Sequence, residues 1–239
     1  MIEAVFFDVG STLIRPCPSV AETFARVAAE RGHDLTVRDV EPHMPAMDAY
    51  YEAEYLRDGD FWCSHEGSTA IWLDQYRYVC HLAGIGHDAE GVAQTVHEAY
   101  RRAECWETYA DVTACLRALK ERGYALGVVS NWDAGLEGLL RDLRLLPYFD
   151  TVVSSAVVGY RKPNPVIFNL ACEQMGVRAE ASVHVGDRPR CRRGRGDRCR
   201  HPRGDRRQAR CRERLWLRAR DGAHRPLRAA LTFVVRSEA

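Results

Sequence analysis

Residues 2–12 read IEAVFFDVGST, and the break at Asp8 decides the fold. Residues 2–7 are an apolar run rich in β-formers. The run stops at a carboxylate followed by Gly10-Ser11-Thr12, so a buried strand feeds a tight polar loop. Similar runs recur downstream. YALGVV at 124–129 ends at Ser130-Asn131, TVVSS at 151–155 is a short strand, and SVHV at 182–185 ends at Gly186-Asp187. Between them lie segments with helical spacing. Val112, Cys115, Leu116 and Leu119 form one, closed by Gly123; Leu136, Leu139, Leu140 and Leu143 form another; Ile167, Leu170 and Ala171 form a third. Strands alternating with helices of about 10–15 residues predict an α/β fold with a parallel sheet and helices on both faces.

Residues 17–107 interrupt that alternation. Ser19-Val20-Ala21-Glu22 has the form of a capping box, Val20, Phe24 and Val27 share one helical face, and Gly32 ends the helix. From about 39 to 107 the pattern is helical, with many aromatics (Tyr50, Tyr51, Tyr55, Trp62, Trp72, Tyr76, Tyr78) and no convincing strand. The aromatics suit a helical core at least as well as substrate contacts. The expected organisation is a core of residues 1–16 and 108–187, an inserted all-helical cap of 17–107, and a tail of 188–239.

Composition divides the chain in the same place. At 239 residues and 46% hydrophobic it can bury a sizeable core. The formal charge of +1 averages two unlike parts. Met1 to Asp187 holds 16 basic and 28 acidic residues, a net of −12. Arg188 to Ala239 holds 18 Arg, no Lys and 5 acidic residues, a net of +13. The nine cysteines form no C-x-x-C and read as reduced thiols of a cytoplasmic protein, mostly small core residues. The N-terminal apolar run is broken by Asp8 and lacks a basic lead-in, which argues against a signal peptide. No stretch approaches 18 uninterrupted apolar residues, so no membrane span is expected.

Ligands of a parallel sheet gather at the carboxyl ends of its strands. The polar residues ending the apolar runs are Asp8, Ser130 and Asp187, and Lys162 lies on the loop GYRKPNPVIF between the third strand and its helix. Parallel connections would bring all four to one rim. Two carboxylates, an ammonium and a hydroxyl there suit a hard cation and an oxyanion.

In order and spacing, FFDVGSTL, VVSN, Lys162 before Pro-x-Pro, and HVGD resemble the four motifs of the haloacid dehalogenase (HAD) superfamily, over residues 1–187. The resemblance implies a Rossmann-like core, a helical cap after the first motif, and a hydrolase forming a covalent intermediate on Asp8. It implies Mg²⁺ bound by Asp8, the Gly10 carbonyl and Asp187. It also implies substrate contacts from Thr12, Ser130 and Asn131, with Lys162 steadying the transferring group.

Two features depart from the family pattern. Family phosphatases usually carry a second Asp two residues after the nucleophile, as general acid and base; here that residue is Gly10. Either another group or water substitutes, or the leaving group needs no proton (an acyl phosphate or a halide), or the enzyme is slow. The expected reaction is hydrolysis of a small phosphomonoester. The alternatives are dehalogenation of a small halogenated acid and a catalytically weak protein on the same fold.

The second departure is the tail, where Arg192 stands in place of an expected acidic residue and no alternation follows. Reading Arg190 through Arg207 one base downstream, with allowed codons, can give DVDVAGAIAAGIRAVTVD. This restores an acid at position 192, Gly-Ala at 195–196, Ala-Gly at 199–200 and an apolar strand. The hypothesis is a single-base frameshift within a few codons of Asp187, in the gene or its sequencing. An undisturbed reading frame on resequencing the locus would end it. The Arg-rich tail also raises a nonenzymatic alternative, a nucleic-acid binder. The absence of Lys, the sparse aromatics (Trp216, Phe233) and the lack of a helical stripe disfavour it. Cys191, Cys199, Cys211 and His201 lack zinc spacing.

Overall fold

The computed structural model describes residues 2–186, with Asp58 and Gly59 by backbone alone, and the backbone of Trp216 and Leu217. Five strands form the main sheet: β1 (Ala4–Phe7), β4 (Ala125–Ser130), β5 (Thr151–Ser154), β6 (Ser182–Val185) and β7 (Trp216–Leu217), in the order β5-β4-β1-β6-β7. Every pairing in it is parallel. β1 is central and both its faces are buried. Val5 and Phe7 pack into a cluster with Val112, Leu116 and Leu119 of α6 (Val112–Glu121) and with Leu136, Leu139 and Leu140 of α7 (Leu136–Asp142). Ala4 and Phe6 face the other way, onto Ile167, Phe168 and Ala171 of α9 (Pro165–Met175). This two-sided burial is why the strand reads as a continuous apolar run rather than an alternating one.

The block between β1 and β4 is mainly helical: α1 (Val20–Glu30), α2 (Val37–Val40), α3 (Met44–Asp58), α4 (His65–Leu82) and α5 (Ala89–Tyr100), with a 3₁₀ turn at Gly59–Cys63. It has its own apolar cluster, centred on Phe24, Val27, Tyr76, Val79, Val92 and Val96. The predicted capping box is present: Ser19 Oγ accepts from the Glu22 amide and Glu22 accepts from the Ser19 amide. Thus the fold is a parallel α/β sheet with an inserted helical cap. No helix among the described residues is long and apolar enough to cross a membrane.

Two expectations need correction. The stretch from 39 to 107 is not free of strand: β3 (Trp106–Thr108) pairs antiparallel with β2 (Ile14–Pro16), and this ribbon joins cap to sheet. The backbone of Trp216–Leu217 lies beside β6, so part of the tail, expected to lack strand, extends the sheet. Open strand edges accept such additions. Asp187 and Arg192 lie outside the described residues.

Candidate active site

β1 delivers Asp8 to the carboxyl edge of the sheet, where its amide donates to the Val185 carbonyl at the end of β6. The loop after it is tight. The Val9 carbonyl accepts from the amides of Thr12, Leu13 and Ile14, and the Ser11 amide donates to the Ile14 carbonyl. This leaves the Gly10 carbonyl outside the loop's own bonding. Thr12 is fully buried in the loop's base.

Three donors converge on one oxygen of Asp8. The Val9 amide, the Ser130 hydroxyl and the Lys162 ammonium each lie 2.8 Å from Oδ1. Among the described residues, none donates to Oδ2. Burial is the largest single influence and opposes the charged carboxylate, but the Lys162 ammonium, His184 and the Ser130 hydroxyl together overcome it and hold Asp8 below the ordinary carboxylate range.

Lys162 is itself buried, and its backbone is pinned by Asn131. The Lys162 amide donates to Asn131 Oδ1 at 2.7 Å, and Asn131 Nδ2 donates to the Lys162 carbonyl at 3.3 Å. The cap reaches the same carbonyl: Tyr55 Oη donates to it at 3.4 Å, and the Arg161 guanidinium stacks 4.7 Å from the Tyr55 ring centroid. Arg161 also lies 3.5 Å from Asp60. Sequence reasoning missed Tyr55, Asp60 and Arg161; nothing in the linear pattern pairs a cap tyrosine with a distant loop carbonyl.

His184 sits behind the site on β6, fully buried, with Nε2 3.3 Å from the Val129 carbonyl and an edge-to-face contact with Phe168. Burial, reinforced by the Lys162 charge, pushes it down to about 3, so it is neutral at pH 7. It packs, as its position within a strand suggested.

Two glycines border the site around Asp8. A Cβ on Gly186 would stand 3.3 Å from Asp8 Cβ and 3.7 Å from Oδ2. Gly186 therefore lies directly beside the carboxylate. A Cβ on Gly10 would stand 3.3 Å from Trp132 Cζ3. The indole thus borders the place where the family's second acid would begin. Trp132 packs on Trp106 of β3, ring centroids 5.3 Å apart. Asp8, Ser130, Asn131 and Lys162 are thus brought together, with Gly10 and Thr12 in the adjoining loop; Asp187 lies outside the described residues.

The sequence model of haloacid dehalogenase-like hydrolases matches residues 2–190. Haloacid dehalogenase-like hydrolase domain-containing protein 3 of Danio rerio is 32% identical over 185 residues, covering 77% of this chain and 76% of that protein. A glyceraldehyde 3-phosphate phosphatase of Methanopyrus kandleri is 31% identical over 196 residues, covering 79% of this chain and 76% of that one. Among solved structures, the L-2-haloacid dehalogenase of Xanthobacter autotrophicus, with chloropropionic acid covalently bound, is 25% identical. It has a TM-score of 0.55 and covers 77% of this chain and 69% of that one. Fold, motif order and sequence relatives agree: this chain is an enzyme belonging to the haloacid dehalogenase-like hydrolase family.

Proposed function

We propose that the chain hydrolyses a small phosphomonoester, with Mg²⁺, through a covalent aspartyl-phosphate on Asp8, in a cytoplasmic setting. The observation that carries this reading is the convergence of Val9, Ser130 and Lys162 on Asp8 Oδ1. One carboxylate oxygen is fixed and the other is left for chemistry. A held, ionised carboxylate beside an ammonium is a nucleophile prepared for an anionic substrate. The likeness to two archaeal glyceraldehyde 3-phosphate phosphatases, 31% and 30% identical, supports the choice of a phosphate.

The contacts support a division of roles. Asp8 attacks phosphorus. Lys162 keeps Asp8 ionised and offsets the charge of the incoming group. Ser130 orients the carboxylate and is placed to meet the same group, as is the Thr12 loop. Asn131, besides contacting substrate, positions Lys162. The residues also fit the cation. The Asp8 carboxylate, the Gly10 carbonyl and Asp187 would supply an all-oxygen set suited to a hard metal, and at Gly186 a side chain would crowd the Asp8 carboxylate, from which it would stand 3.3–3.7 Å. When bound, Mg²⁺ would reduce the repulsion between carboxylate and substrate. The division into a core of 1–16 and 108–187 and a cap of 17–107 belongs to the same reading. The cap closes over the rim and selects the substrate.

One observation favours a second reading, dehalogenation of a small halogenated acid. Gly10 offers no acid and Trp132 borders its site with an apolar ring; a halide leaves without a proton. A panel of small phosphates and 2-haloacids, assayed with and without Mg²⁺ and with an Asp8→Asn control, separates the two. Mg²⁺-dependent phosphate release lost in Asp8→Asn is the expected result. Halide release, or phosphate release that survives the substitution, would overturn the proposal.

A further inference from the structure

A cysteine flanks each strand of the ribbon that joins cap to sheet, Cys17 just after β2 and Cys105 just before β3. The antiparallel register runs Ile14 opposite Thr108, Arg15 opposite Glu107 and Pro16 opposite Trp106. One step past the paired residues, Cys17 meets Cys105, which ends a 3₁₀ turn (Ala103–Cys105): the Cys17 amide donates to the Cys105 carbonyl at 3.0 Å, while the Cys105 amide turns back to the Arg102 carbonyl at 3.3 Å. Directly opposed residues of an antiparallel pair present their side chains to the same face. Opposed α-carbons of an antiparallel pair stand about 4.5–5.5 Å apart, inside the roughly 4.4–6.8 Å range that a disulfide spans, and the Cys17–Cys105 hydrogen bond holds the two backbones together at the end of that ribbon. Both thiols are free; Cys17 is exposed and Cys105 is buried. The other four described cysteines, Cys63, Cys80, Cys115 and Cys172, lie on helices or a helical turn away from the ribbon.

The geometry points to a reversible Cys17–Cys105 disulfide that staples the two crossings between cap and sheet. The ribbon's two strands are where the chain leaves the sheet for the helices and returns. A bond at its cap end restrains both crossings at once.

The chemistry needs a two-electron oxidant, and a small-molecule disulfide of the glutathione class supplies it. The exposed Cys17 thiolate attacks one sulfur of that disulfide and releases a thiolate. Cys105 then attacks Cys17 Sγ and releases the second. The two protein thiols are oxidised, the small disulfide is reduced to two thiols, and the two protons pass to the leaving thiolates. Burial raises the Cys105 thiol, which makes the exposed Cys17 the point of entry.

The test uses the full chain treated with oxidised glutathione and then with dithiothreitol. Mass spectrometry should find a Cys17–Cys105 cross-linked peptide that has lost two hydrogens and disappears on reduction. The tryptic peptide holding Cys105 also holds Cys115, so fragmentation assigns the partner. Hydrogen exchange should slow by roughly tenfold or more at the amides of Cys17 and Tyr109, which bond to Cys105 and Leu13 at the two ends of the ribbon. Cys17→Ser, an exposed substitution, should form no link and show no slowing. A lasting mixed disulfide at Cys17 with Cys105 still reduced, pairing of Cys17 with another cysteine, or a correct link without slowed exchange would each overturn the inference.

Discussion

Lys162 is the residue on which the site turns, and its geometry is set by neighbours as much as by itself. Asn131 brackets its backbone on both sides. Asn131→Ala should free the loop and lower kcat by about 10–10² with a smaller change in KM, since misplacement of a catalytic group by an ångström costs on that order. Asn131→Asp, which keeps an acceptor for the Lys162 amide, should recover part of the loss. Steady-state kinetics on the best phosphate substrate decide the point; equal losses in both variants would assign Asn131 to substrate contact alone. His184 gives a pH prediction. Its pKa falls from an ordinary 6.5 to about 3 in the fold, so between those values the unfolded chain binds the extra proton. Stability from this group is therefore full above pH 6.5 and declines as pH falls toward 3. The shift corresponds to about 2 kcal/mol lost between pH 7 and 5. Urea unfolding at the two pH values measures it, and His184→Asn should flatten the difference. Asp8 contributes with a lower window. Its carboxyl is depressed, so its ion pair with Lys162 stabilises above the usual carboxylate range and is lost only in stronger acid.

At the scale of elements, α1 starts where two side chains and two amides exchange hydrogen bonds at Ser19 and Glu22. Ser19→Ala should cost about 1 kcal/mol of unfolding free energy, read by urea denaturation, with kcat unchanged because Ser19 and Glu22 bond to each other and to no residue of the site. A loss of kcat at full stability would tie α1 to the site instead. The same box shows what sequence makes visible: local hydrogen bonding and periodicity. The runs at 2–7, 124–129 and 182–185 were legible because strands buried on both faces are apolar throughout. The ribbon was not. Ile14-Arg15-Pro16 and Trp106-Glu107-Thr108 are too short for a period to register, and each is a strand only because the other lies beside it. The site divides in the same way. Asp8, Ser130 and Lys162 could be found because each ends an element or sits beside a fixed Pro loop. Asn131 was legible as part of the same strand end, but its hold on the Lys162 backbone was not, nor was that of Tyr55; such pairings leave no local mark.

Across the whole molecule, the family match ends at residue 190, three residues past Asp187 and where the charge balance swings from −12 to +13. In a doubly covered parallel sheet the strand after β6 should be as apolar as β1 and should carry a helix behind it. Among the described residues, β6 is met on that side only by Trp216 and Leu217. A single-base shift near Asp187 accounts for both facts, since the downstream reading returns an acid at 192, two small-residue pairs and an apolar run. Restoring that frame should rebuild the sheet edge and the acid beside Asp187. The repaired chain should then unfold at least about 2 kcal/mol later than the present one, roughly 4–8 °C in Tm for a chain of this size. It should also gain Mg²⁺-dependent turnover over the present chain, each measured against its own Asp8→Asn control. Scanning calorimetry and the phosphate assay on the paired chains test this. If the restored chain melts no higher and turns over no faster, the present tail is the native one, and the edge of β6 is closed by residues that the family pattern does not foresee.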